Sequence, residues 1–184
     1  MKICLTKMCF SLLPLMLCSS LFGKSIGDAT IKDEVKDTKT KAYHKSALDI
    51  EEGSISYDGE SIIELGIEVA DKITSKPSSK NYKFIFWFDF HVKKPKKEMD
   101  LSKVDKCVYV YNKGGNWQAS TAAYTGRGKS IKIKILDTLF IENKLKLTVS
   151  SEHFAPKTYL SMIITTKSGD LTVDRSDAEL FKLK

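Results

Sequence analysis

After Leu48 the hydrophobic residues recur at every second position, the spacing of strands with distinct faces. Ile55 and Tyr57 lead into Asp58-Gly59, a dipeptide suited to the positive-φ positions of a hairpin turn. Ile63, Leu65, Ile67 and Val69 then alternate with Glu64, Gly66, Glu68 and Ala70. Ile62, Val69 and Ile73 also fit a helical period, but Gly66 and the β-branched content favour a strand. Beyond the turn cluster Lys76-Pro-Ser-Ser-Lys80 comes the clearest strand. Tyr82, Phe84, Phe86, Phe88, Phe90 and Val92 lie on one face, and Ile85, Trp87, Asp89 and His91 on the other. Apolar residues on both faces predict a central strand covered on both sides over part of its length.

A basic loop, Lys93-Lys94-Pro95-Lys96-Lys97, ends that run. Val104 to Tyr111 predicts the next strand, and Asn112-Lys-Gly-Gly-Asn116 turns the chain into Trp117 to Tyr124. Gly126-Arg-Gly128 reads as another hairpin turn before a strand through Ile131, Ile133 and Ile135. Leu145, Leu147 and Val149, then Tyr159 to Thr166, then Leu171 to Val173 complete the series. Short strands separated by turn chemistry, with no internal repeat, predict an all-β fold. The expected form is an antiparallel β-sandwich, jelly-roll or immunoglobulin-like, over residues 48–184.

The N-terminus changes what composition implies. Lys2 and Lys7 precede a short apolar run from Met8 to Phe22, the layout of a secretory signal peptide over residues 1–23. Pro14 within the run, and the polar chain from Lys24 onward, weigh against a buried helix. Small residues suit cleavage after Ser20 or after Ser25. Cys18, followed by Ser19 and Ser20, suggests lipidation as an alternative, although Leu17 stands where a lipoprotein signal has a small residue. Peripheral membrane association is expected only if Cys18 is lipidated. Residues 24–47 read as a polar linker or loosely docked arm, with a short helix as an option around Ile31 to Val35.

The chain has 184 residues and a net charge of +7, and cleavage would lower that charge by two. It would also remove Cys4, Cys9 and Cys18, leaving Cys107 alone in an apolar run, the setting of a buried, inert thiol without a disulfide. The expected location is therefore outside the cytoplasm: periplasmic, cell-surface or extracellular.

Candidate chemistry is sparse. His44, His91 and His153 are scattered, with no second histidine or cysteine at ligand spacing, so no metal site is expected. No nucleophile elbow, phosphate loop or cofactor motif occurs, and the paired acids Glu51-Glu52 and Glu64/Glu68 read as surface carboxylates. The expectation is a non-enzyme without a cofactor. Lysines at 93–97 and at 129, 132 and 134 would suit an anionic partner, but export argues against nucleic acid. The aromatic residues are more suggestive. Trp87 shares a face with Asp89 and His91, and Trp117 leaves a glycine-rich turn near Tyr109 and Tyr111. A flat ring beside hydrogen-bonding groups suits the C–H face and hydroxyl rim of a sugar; the alternative places both tryptophans in the core.

Several segments occur in a suggestive order: Leu48-Asp-Ile50, Tyr57-Asp-Gly-Glu-Ser-Ile62, Phe86-Trp-Phe-Asp89, Val108-Tyr-Val-Tyr111, Gly-Gly-Asn-Trp117 and Asp174-Arg175. Across Leu48 to Ser176 this pattern resembles exported sandwich domains related to family-9 carbohydrate-binding modules and DOMON-like domains. The resemblance implies a binding module for sugars or haem, or one with no known ligand. Relatives often follow the Trp-x-Asp strand with a second acid and a loop able to hold calcium. Here His91 and lysines follow, which argues against a hard cation at Asp89. Met162 and His153 are available to haem, but nothing marks them. The expected function is a non-catalytic module for carbohydrate or envelope glycan, with Trp117, Tyr109, Tyr111, Trp87 and Asp89 at the site. The alternative is an envelope structural or protein-interaction domain without a small ligand.

Overall fold

Asp58-Gly59 does close a hairpin. Gly59 takes a positive φ, and the Asp58 carboxylate accepts from the N–H groups of Glu60, Ser61 and Ile62. That turn joins β2 (Ile50–Tyr57) to β3 (Ile62–Val69) in a computed structural model that describes residues 29–32, 46–73, 81–91, 100–156 and 159–183. The other strands are β1 (Ala29–Lys32), β4 (Tyr82–Asp89), β5 (Lys106–Lys113), β6 (Asn116–Ala123), β7 (Lys134–Ile141), β8 (Lys144–Ser150), β9 (Tyr159–Ser168), β10 (Leu171–Arg175) and β11 (Glu179–Lys182). The described chain is all β, in two antiparallel sheets. The first runs β1-β2-β3-β8-β7; the second runs β10-β9-β4-β5-β6, with β11 also on β9. The predicted signal segment with Cys18, the Lys93–Lys97 loop and Val92 lie outside the described residues.

One face of each sheet feeds a common core. Ile55, Leu65, Leu147 and Val149 of the first sheet cluster with Phe84, Phe86, Phe88, Val108, Met162 and Ile164 of the second. Period-two alternation thus becomes burial, each such side chain contributing about 1.5–3 kcal/mol. Gly53 of β2 faces Ile164 of the second sheet, where an added Cβ would collide with the end of the Ile164 side chain. Polar ties also cross between sheets: the buried Asp174 carboxylate accepts the Ile50 N–H at 2.7 Å.

Four elements depart from the sequence reading. Ala29–Lys32, within the expected arm, is a strand paired with β2 rather than a tether or helix. Ile31 lies opposite Gly53, and its buried side chain joins the core. Ile131 and Ile133 are buried but precede β7, which continues to Ile141 through an irregularity between Ile135 and Asp137. Gly126-Arg-Gly128 forms no hairpin: it lies in the connection from β6 in the second sheet to β7 in the first. A Cβ at Gly128 would collide with the Asp105 carbonyl, so that connection can pack there only as glycine. Finally, β11 carries no clear alternation in sequence and is defined by its pairing with the first half of β9.

Candidate functional site

The outer face of the second sheet resolves into cross-strand rows. The register places Ile163, Trp87, Cys107 and Ala122 side by side from β9 to β6. The next row holds Arg175, Thr165, Ile85, Tyr109 and Ser120, and the one beyond it Thr172, Lys167, Lys83, Tyr111 and Gln118. Burial falls steadily along this series. The Trp87 row is closed over by Val104 and Leu101 and by Tyr124, whose ring meets Trp87 edge-on at 5.2 Å. In the row of Lys83 every residue is at least partly exposed.

Four of the five sequence-predicted site residues share this face, in different settings. Trp87 is buried at 7% exposure, and its indole N–H donates to Thr165 Oγ1 at 2.8 Å, so its polar edge is satisfied internally. Cys107 beside it is buried, and burial pushes its thiol up, as in an inert cysteine. Tyr109 and Tyr111 are partly exposed neighbours with ring centroids 5.5 Å apart, and the Tyr111 hydroxyl donates to Gln118 Oε1 at 2.9 Å. Trp117 is not brought together with them. It lies on the inner face of β6, stacked on Phe140 at 5.0 Å and tilted against Phe84 at 5.6 Å, where it bridges the two sheets.

Asp89 ends β4 and joins a second cluster. Among the described residues, Asp89, His91 and Asp105 form the group of possible metal ligands, with atoms within 4.8 Å of one another. Asp105 is fully buried, and its oxygens are already engaged. Oδ1 accepts from Arg127 Nε at 3.2 Å and Thr125 at 3.4 Å; Oδ2 accepts from the Phe90 N–H at 3.0 Å and lies 2.7 Å from His91 Nδ1. Through these contacts Asp105 works as a bracket that ties β4, β5 and the Arg127 connection together. Burial pushes the Asp89 carboxyl up and the nearby Asp105 adds to this; the His91 N–H and Arg127 oppose it without cancelling it. The close Asp89–Asp105 pair does not provide an acid and an accessible nucleophile, because Asp105 is sealed. Beside the bracket a cleft of about 520 Å³ is lined by Phe90, His91, Arg127, Ser130, Ile131, Glu152, His153 and Ala155.

The outer face of the first sheet is built differently. Glu68 lies opposite Lys144 across β3 and β8 and pairs with it at 2.9 Å, while Glu64 pairs with Lys146 at 2.7 Å. A groove of about 220 Å³ crosses it at Gly66, with the exposed Leu139 and Ile141 of β7 on one side.

Sequence reasoning missed Lys83, Lys167 and Gln118 on one side, and Asp105 and Arg127 on the other. Lys83 was legible as a residue alternating with Phe84, but only the β4–β9 register reveals Lys167 opposite it. Compared with known proteins, the chain matches no family model, no curated protein and no solved structure.

Proposed function

We infer that this chain is an exported, non-catalytic binding module, a β-sandwich of jelly-roll or immunoglobulin-like type, that holds a glycan on the outer face of its second sheet. The observation that carries this reading is the partly exposed Tyr109–Tyr111 pair in rows that also offer Ser120, Gln118 and Lys83. Tyrosine rings suit the C–H face of a pyranose, and the flanking amide, hydroxyl and ammonium groups suit its hydroxyl rim. Trp87 and Asp89 then support the face from its buried end, and Trp117 supports the sheet from behind. Export rests on the N-terminal pattern alone, and the mass of the mature protein checks it.

Affinity electrophoresis against a panel of polysaccharides tests the site. Tyr111→Ala and Tyr109→Ala are expected to abolish retardation, while Trp117→Ala lowers stability and leaves the face intact. Retardation lost only in a folded Trp117 variant would move the site to the β6 edge. A second reading, a protein-interaction domain of the envelope, is favoured by the exposed Leu136, Leu139 and Ile141 on β7, a strand at the end of the first sheet. It expects co-purifying proteins lost on Leu139→Lys and no retardation by any polysaccharide.

A further inference from the structure

Lys83 and Lys167 stand directly opposite one another on β4 and β9, neighbouring strands in the interior of the second sheet. Like charges facing each other across a sheet are destabilising. Lysines are common on sheet edges, where they deter strand pairing, but neither of these strands is an edge. No carboxylate among the described residues pairs with either ammonium, and neither their row nor the row of Tyr109 contains an aspartate or glutamate. Arg175 ends the adjacent row, and the exposed Lys113 follows Tyr111 on the same face of β5. A concentration of positive charge thus adjoins the tyrosine pair, and its central members, Lys83 and Lys167, face each other without a carboxylate partner among the described residues.

We propose that the ligand of this face is an anionic saccharide bearing carboxylate or sulfate groups, with Lys83 and Lys167 taking one acidic group between them and Tyr111 carrying the ring. This deepens, and rests on, the glycan-binding reading. A bridging anion relieves the Lys83–Lys167 repulsion, so the two lysines cost the free protein stability and return it in the complex. Spacing supports the division of labour: Lys83 lies between Lys167 and Tyr111 in one row, so an acidic group over the lysines leaves the sugar ring beside Tyr111.

The test uses polygalacturonate, its methyl ester and dextran sulfate in affinity gels with the wild type and Lys83→Gln/Lys167→Gln. Binding to polygalacturonate or to dextran sulfate, but not to the ester, is expected. It should weaken about tenfold or more in the double variant and fall steeply with salt. The melting temperature of the free variant should be unchanged or higher, which separates lost binding from lost fold. Equal binding of acid and ester, or acid binding untouched in the variant, overturns the anionic assignment and leaves the glycan reading standing. Binding to none of these and to no neutral polysaccharide overturns both.

Discussion

On the outer face of the first sheet, β3 and β8 place Glu68 against Lys144 and Glu64 within reach of Lys146, and both pairs close to under 3 Å. At the corresponding interior position of the second sheet, β4 and β9 place Lys83 against Lys167. Both are central strands of antiparallel sheets with their other face in one shared core. Packing therefore cannot account for the difference. The first face pairs both of its central lysines with glutamates. The second buries one end under Val104 and Tyr124 and leaves the other end positive and aromatic, the contrast on which our proposal of a ligand at that end rests.

The largest expected effect breaks the second face at its buried end. Trp87→Ala should cost about 3–5 kcal/mol in denaturant unfolding, since it empties a buried site and strands Thr165. A cost near zero would mean that Trp87 is a surface platform after all. At the open end of the same face, Tyr111→Ala should cost only about 1 kcal/mol or less, because the ring is partly solvated already. Charge reversal sharpens the contrast between sheets. Lys83→Glu should raise stability by about 0.5 kcal/mol by turning a like pair into an opposite one, whereas Lys146→Glu should lower it by about as much. The same sign for both would remove the distinction between the faces.

The smallest effect is in pH. The Lys144 hydrogen bond holds Glu68 below its ordinary 4.5, outweighing burial. Its native pKa lies below the unfolded one, so its stabilisation is whole above the ordinary value and is lost as pH falls through the native one. Burial raises Asp89 above its ordinary 3.8, which reverses the sign. Its contribution is whole below the ordinary value and is lost as pH rises through the native one. Melting temperatures in mild acid should therefore respond oppositely to the two variants. Glu68→Gln should blunt the fall in stability on acidification, and Asp89→Asn should remove the fall on raising pH.

Much of the strand order was legible because alternation reports burial directly: Phe84, Phe86 and Phe88 face the core as their spacing demands. Ile131 and Ile133 misled for the same reason. They alternate and are buried, yet they anchor a connection between sheets whose path is set by Gly128 against Asp105. Trp117 was ambiguous because β6 offers small or polar residues on both faces, so its inner face is fixed only by pairing with β5. The site was legible in part. Trp87, Tyr109 and Tyr111 could be placed on alternating positions, but their common row structure, and the lysine pair beside it, depend on registers between strands distant in sequence.

The most direct measurement is amide and side-chain chemical-shift mapping on titration with a galacturonate oligomer. The account predicts shifts concentrated at Lys83, Lys167, Tyr109, Tyr111 and Gln118, with Gly66, Leu139 and Ile141 of the first sheet unmoved. Shifts confined to that first-sheet groove, or to the cleft around His91 and Arg127, would contradict it.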